Sequence, residues 1–220
     1  MTLALFDLDH TLLSGDSDVL WCDFLLDHGL LDEGFRARNA EMERRYGEGT
    51  VSPAEFCGFF ASTLAGHDDA FWSPWSERFL AERVRPRIPF DARELVARHR
   101  DAGHTLVMTT ATNRLITERT AAELGIPNLI ATELERDGGV FTGRVAGEPN
   151  MREGKVLRLA EWLGESAAAA LAEAFFYSDS ANDLPLLLRV GHPVAVDPDA
   201  RLLTEARRAG WAVLTFDRAT

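Results

Sequence analysis

Leu3-Ala4-Leu5-Phe6-Asp7-Leu8-Asp9-His10-Thr11, residues 3–11, sets an unbroken apolar run directly against two carboxylates. Bounded by the turn formers Ser14, Gly15 and Asp16, the run reads as a short buried strand over Leu3–Leu8. A strand's period of two aims Asp7 and Asp9 to one side, although a loop starting there would separate them. Such a pair is either a solvated strand end or a nucleophile beside a proton shuttle, with a metal easing their repulsion. An EF-hand loop also fits the first two acids, but Leu12 stands where that loop needs glycine.

The next stretch changes character. From about Ser17 to Arg85 apolar residues recur at helical spacing: Phe56, Phe59, Phe60 and Leu64 form one face, Trp72, Trp75 and Phe79 another. Ser52-Pro53-Ala54-Glu55 is a helix start, with Ser52 as N-cap, Pro53 in the first turn and Glu55 closing a capping box. A unit of about four helices is therefore expected over residues 15–87, ending at the two prolines of Arg85-Pro86-Arg87-Ile88-Pro89.

Beyond Phe90 helices and strands alternate. Helices are expected over Ala92–Ala102, Asn113–Leu124, Arg152–Gly164, Asn182–Val190 and Asp199–Gly210, and strands over Thr105–Thr109, Leu129–Thr132, Ala174–Ser178 and Pro193–Val196. Asp137-Gly138-Gly139 reads as a hairpin turn. This alternation predicts an α/β fold, a doubly wound parallel sheet with helices on both faces, built from residues 1–14 and 88–220 around the inserted helical unit.

Of 220 residues, 46% are hydrophobic and 26% charged, ordinary values for a soluble chain able to bury a core. With 35 acids against 23 Lys plus Arg, the formal charge of −12 lacks the basic footprint that nucleic acid or an anionic membrane demands. Small anionic substrates stay open, because a divalent cation reverses the local field. Cys22 and Cys57 lie far apart and are expected as reduced, partly buried thiols. That reading, and the absence of a signal peptide or an apolar run near the ~20 residues of a membrane span, lead to the expectation of a soluble cytoplasmic protein.

In an open parallel sheet, ligands gather at the carboxyl ends of strands. Four polar clusters fall there: Asp7 with Asp9, Thr110 with Ala111, Lys155, and Asp179 with Asp183. The Thr110 hydroxyl and adjacent N–H groups would hold a phosphate oxygen, or cap the next helix. Lys155 opposes the dipole of the helix it opens, so a carboxylate or substrate anion would explain it. Gly154-Lys155 is no P-loop, because Pro149 and Val156 replace its glycine and its Ser or Thr. Asp179 and Asp183 either supply oxygen ligands to a hard cation or, for Asp183, simply suit a helix start.

In this order and at these separations, the clusters resemble the motifs of the haloacid dehalogenase superfamily: Asp7-x-Asp9-x-Thr11, Thr110, Lys155, and Asp179-Ser180-Ala181-Asn182-Asp183. The helical insertion and the hairpin around Asp137–Arg144 resemble its phosphoserine-phosphatase-like subfamily IB, and the resemblance covers nearly the whole chain. It implies a phosphatase with Asp7 as nucleophile and Asp9 as acid and base. Thr110 and Lys155 would hold the phosphoryl group, Lys155 would also neutralise Asp7, and Asn182 would contact the phosphoryl group or orient Lys155. It implies Mg2+ bound by Asp7, the Asp9 backbone carbonyl and Asp179, with Asp183 directly or through water. The expected partner is a small phosphorylated metabolite, and the expected assembly a monomer or homodimer. A phosphotransferase or mutase would use the same residues with an alcohol in place of water.

Asp16 occupies the place where phosphoserine phosphatases resemble one another in having an ammonium-reading glutamate, and Asp18 is beside it. Asp16 either reads a substrate amine or caps a helix. Phosphoserine phosphatases also hold the substrate carboxylate with an arginine, and the stretch after Phe56 has Thr63 and no arginine. The whole pattern is similar to bacterial histidinol phosphatases of this subfamily, so histidinol phosphate is the first expectation and phosphoserine the second. His10 is expected to point off the other face of the strand.

Overall fold

The computed structural model describes residues 2–218 of the chain. Strand β1 (Leu3–Phe6) is buried along its whole length, as a central strand of a sheet covered on both faces must be. It runs parallel to β2 (Thr105–Asn113) on one side and β6 (Phe175–Ser178) on the other. With β3 (Asn128–Thr132), β7 (His192–Val196) and β8 (Ala212–Leu214) the sheet has six strands in the order β3-β2-β1-β6-β7-β8. The order reverses at β1, so a crevice opens between β1 and β6 at their carboxyl ends, the place where such sheets take ligands.

The pleat sorts the core. Ala4 and Phe6 of β1 pack with Leu106 and Met108 on one face, under α5 (Phe90–Asp101) and α6 (Arg114–Glu123). Leu3 and Leu5 pack with Val107 and Phe176 on the other, under α7 (Glu153–Leu163), α8 (Ala167–Ala172), α9 (Leu184–Leu187) and α10 (Ala200–Ala209).

Between β1 and β2 lie α1 (Ser17–Asp27), α2 (Gly34–Gly47), α3 (Pro53–Ala61) and α4 (Asp69–Phe79). Ser52 caps α3 by accepting from the Glu55 N–H at 3.2 Å. Phe35, Phe56, Phe60 and Cys22 share an apolar cluster with Met151 from the α/β body, while Trp21, Leu64, Trp72 and Phe79 join the cluster that reaches the sheet. A two-stranded hairpin, β4 (Leu134–Asp137) with β5 (Val140–Val145), turns through Gly138 and Gly139, both at positive φ. Both cysteines are free and buried. Among the described residues no helix is long and apolar enough to cross a membrane.

Four expectations change. Strand β1 stops at Phe6 instead of Leu8, because the chain turns out of the sheet at the acids. Strand β2 runs on to Asn113 with a register shift after Thr109. The helix expected over Asn182–Val190 shrinks to a tight turn, Ala181–Asp183, and the single turn α9. There Gly191 is drawn so close to α8 that a Cβ would meet the Ala172 carbonyl oxygen at 1.9 Å. Strand β8 was not anticipated, since three residues give no pattern.

Candidate active site

Past Phe6 the chain makes a wide turn, Leu8–Leu12, closed by the Leu13 N–H donating to the Leu8 carbonyl at 3.0 Å. His10 sits in it at φ +54, a backbone region non-glycine residues keep only where their surroundings hold them. The turn separates the two acids. Asp7 stays with the sheet, its N–H donating to the Tyr177 carbonyl at 2.9 Å. Asp9 swings toward the helical insertion, where Oδ1 accepts from the Ser17 N–H at 2.7 Å and Oδ2 from the Thr112 hydroxyl at 3.0 Å.

Lys155, in the first turn of α7, donates from Nζ to Asp7 Oδ1 and to Asp183 Oδ2, both at 2.7 Å. The Ser178 hydroxyl donates to that same Asp183 oxygen at 2.7 Å. Gly154 allows this approach: a Cβ there would lie 2.0 Å from the Pro149 carbonyl oxygen, so a larger residue would push the lysine away from β1. Fully buried Asn150 ties the same segment to the sheet, its Nδ2 facing Thr109 Oγ1 at 3.0 Å and the Thr110 and Ile130 carbonyls at 2.9 Å. Asp179 follows β6 and is gripped by Thr11, which donates to Asp179 Oδ1 at 3.1 Å and accepts from its N–H at 3.0 Å.

Burial alone would discharge the Lys155 ammonium, yet the flanking Asp183 and Asp7 carboxylates outweigh it and raise its pKa. One ammonium does not neutralise the cluster. Burial pushes Asp7 well above the usual carboxylate range; Lys155 opposes this, while Asp183, Asp179 and Asp9 add to it. Asp179 is pushed up to about 7, by burial first and Asp183 next. Asp7 and Asp179 each meet their donors through Oδ1, and Asp183 through Oδ2. These are hard oxygen donors in surplus negative charge, a setting that suits a hard divalent cation. Among the described residues no three acids close into a ready-made metal cage, so such a cation would complete its shell with backbone carbonyl and water oxygens.

The crevice forms a cavity of about 470 Å³, the size of a small-metabolite site. Asp7, Lys155, Asp179 and Asn182 line it together with Asp16, Asp18 and Glu43. Tyr46 and Phe56, stacked with ring centroids 4.4 Å apart, add an aromatic wall. Asp16 caps α1, its Oδ1 accepting from the Asp18 and Val19 N–H groups at 2.9 and 3.1 Å. Burial and then Asp9 push its carboxyl up to about 7. Asp18 accepts from Thr112 at 2.9 Å through Oδ2, while its buried Oδ1 has no hydrogen-bond partner among the described residues. Burial, then Asp16 and Asp9, raise it well above the usual range.

The structure thus brings Asp7, Asp9, Lys155, Asp179 and Asp183 around one crevice, with Asp16 and Asp18 in the same lining. Thr110 differs. It is wholly buried with Oγ1 accepting from the Thr112 N–H at 3.2 Å, and the wall there is made by Ala111 and Thr112. Nor does Thr110 cap α6; Asn113 does, accepting from the Ile116 N–H at 3.3 Å. Asn182 accepts from Arg152 Nε at 3.0 Å and donates to the Tyr46 hydroxyl at 2.9 Å, so these two residues, not Lys155, engage its amide. His10 is corrected: it is exposed on the turn at the cavity's edge instead of facing off the strand. Thr63 lies inside the helical insertion, donating to the Phe60 carbonyl at 2.7 Å. An arginine does line the cavity, Arg87 from the returning linker. Thr112, Glu43, Tyr46 and Asn150 carried no signal beyond their polarity, since each acts across a long loop.

A family model described as haloacid dehalogenase-like hydrolase matches residues 4–188. A histidinol-phosphatase of Neisseria meningitidis is 39% identical over 97% of this chain and 98% of its own length. A phosphoserine phosphatase of Mycobacterium tuberculosis is 31% identical over 97% of this chain and 70% of its own. Among solved structures, a Bordetella pertussis protein of unknown function superimposes with a TM-score of 0.91 at 40% identity, covering 97% of each chain.

Proposed function

The chain belongs to the haloacid dehalogenase-like hydrolase family and is a phosphatase, and on that premise we propose that it hydrolyses a small amine-bearing phosphate monoester, histidinol phosphate first among candidates, through a phosphoryl group carried on Asp7. The arrangement that carries this reading is Lys155 between Asp7 and Asp183, with Asp9 held apart by Ser17 and Thr112.

In this mechanism Asp7 attacks phosphorus, and Asp9 protonates the departing alcohol oxygen. Asp9 then takes a proton from the water that attacks the aspartyl phosphate, regenerating Asp7 and releasing phosphate. Lys155 favours the ionised form of Asp7 and offsets charge on the transferring group, while Ser17 and Thr112 fix the direction in which Asp9 delivers its proton. Ala111 and Thr112 line the wall where phosphoryl oxygens would lie, and Thr110 braces that wall from behind. Mg2+ fits the surplus of hard carboxylate oxygens; Asp7, the Asp9 carbonyl, Asp179 and Asp183 would hold it, and when bound it would offset phosphoryl charge.

Residues 15–87 would act as a cap that selects the leaving group and keeps bulk water out. The lining supports an amine-bearing substrate, since Asp16, Asp18 and Glu43, carboxyls whose pKa burial raises and which an ammonium would ionise, stand with the aromatic Tyr46 and Phe56. The likeness to the Neisseria histidinol-phosphatase supports the same choice. Phosphoserine is the second reading, favoured by Arg87 at the cavity wall, where it offers a cation to a carboxylate.

The test is phosphate release with Mg2+ from histidinol phosphate, phosphoserine and amine-free sugar phosphates. Asp7→Asn is expected to fold normally and to lose more than about a thousandfold in kcat. Turnover of the sugar phosphates with both amines left intact would remove the substrate assignment.

A further inference from the structure

Arg218 lies near the end of the chain, far in sequence from every acid at the crevice, yet its guanidinium is wrapped by the turn that carries Asp9. Nη2 donates to the His10 carbonyl at 2.6 Å and the Thr11 carbonyl at 3.0 Å. Nη1 donates to the Leu13 carbonyl at 3.0 Å and to Ser14 Oγ at 3.3 Å. Nε donates to Asp197 Oδ2 at 2.7 Å. These contacts account for all five N–H donors of a guanidinium. Asp197 is itself held at φ +42 and also accepts the Phe216 N–H, so the tail is fixed to the carboxyl end of β7 before it reaches the turn.

The turn has reason to need a clamp. Its His10 is at positive φ, and its carbonyls point outward instead of continuing a helix. Bending just there aims Asp9 away from Asp7 and lets Thr11 hold Asp179. Water could satisfy the same carbonyls if the guanidinium left, because Arg218 is partly exposed; removing it therefore relaxes the turn's shape more than it destabilises the fold.

We propose that Arg218 is a positioning residue for the acid–base step, holding the Leu8–Ser14 turn so that Asp9 meets the leaving oxygen. The proposal rests on the assignment of Asp9 as the acid. Lysine cannot replace it fully, since a single ammonium has three donors and no planar fork.

The experiment compares kcat/KM over a series of phosphate monoesters running from dinitrophenyl, which leaves without a proton, to alkyl, which needs one. Wild type, Asp9→Asn, Arg218→Ala and Arg218→Lys are measured, with melting curves for each. Asp9→Asn should lose far more on alkyl than on dinitrophenyl esters. Arg218→Ala should melt close to wild type and show the same tilt in weaker form, at least about tenfold on alkyl and under about threefold on dinitrophenyl esters. Arg218→Lys should fall between Arg218→Ala and wild type. An Asp9→Asn tilt without an Arg218→Ala tilt, including uniform slowing or none, overturns the positioning role alone. A flat Asp9→Asn series overturns the acid assignment and the positioning role together.

Discussion

The Lys155 ammonium and the Asp7 carboxylate stand 2.7 Å apart although 148 positions separate them in the chain. Both are buried, so the pair was assembled against the cost of desolvating two charges, a cost repaid only when partners and hydrogen bonds are well placed. Replacing Lys155 with methionine keeps the volume and leaves Asp7 and Asp183 facing one another. The expected result is a loss of about 3–5 kcal/mol of stability without divalent cations, measured by denaturant unfolding, and partial recovery when Mg2+ is added. An unchanged midpoint would show that the two carboxylates do not depend on the lysine.

Cation binding should be visible without turnover. Native protein is expected to melt at higher temperature as Mg2+ is raised, approaching about 2.7 kcal/mol of added stability at a hundredfold excess over Kd. Asp179→Asn should lose most of that gain. Chelator should abolish phosphate release and Mg2+ restore it. A thermal shift equal in native and Asp179→Asn protein would move the cation site elsewhere.

Thr112 has one hydroxyl proton and two carboxylates within reach, Asp9 at 3.0 Å and Asp18 at 2.9 Å. Valine at this position keeps the shape and removes the donor. The expected fall in kcat is roughly tenfold to a hundredfold, part of the ~10²–10⁴ that acid–base catalysis supplies, with KM little changed. Steady-state kinetics at saturating substrate checks it; a rise in KM at constant kcat would assign Thr112 to substrate capture instead.

His99 predicts a pH dependence of folding remote from the crevice. It is buried beneath the sheet, with Nδ1 2.7 Å from His104 Nδ1 and Nε2 2.7 Å from the Tyr177 hydroxyl. Burial, then His104 and Arg98, lower its pKa to about 4. Because the folded value lies below the ordinary value of ~6.5, the unfolded chain binds more protons in between. This contribution is thus complete above about pH 6.5 and lost as the pH falls toward 4. Unfolding curves across that window should show native protein losing stability faster than His99→Phe. Parallel curves would assign the acid sensitivity to other groups.

The strand-helix alternation was legible because it is written locally: the apolar runs at Leu3–Phe6 and Phe175–Ser178 and the cap at Ser52 need no distant partner. Boundaries failed where a tertiary contact overrides local preference. β1 ends at Phe6 because the turn is held by Arg218 and Ser17, and α9 is short because Gly191 is drawn against α8. The acids and Lys155 could be named from their motif spacing, but Thr112, Asn150, Glu43 and Arg218 could not. Thr112, Asn150 and Arg218 work through contacts made across dozens of residues, Glu43 reaches the cavity only once the helical insertion has folded over it, and a single threonine or arginine has no pattern.

The sequence by itself determined the α/β class, the helical insertion, and which carboxylates and lysine to consider for the site, because periodicity and residue type follow from covalent structure and local burial. Only the tertiary structure decided that Asp9 parts from Asp7, that Thr110 sits behind the wall while Thr112 lines it, and that the chain's last described arginine grips the catalytic turn. Those relations depend on which carbonyls and carboxylates are left facing one another after the core has packed, and directional bonds at 3 Å are not encoded in any one stretch of chain.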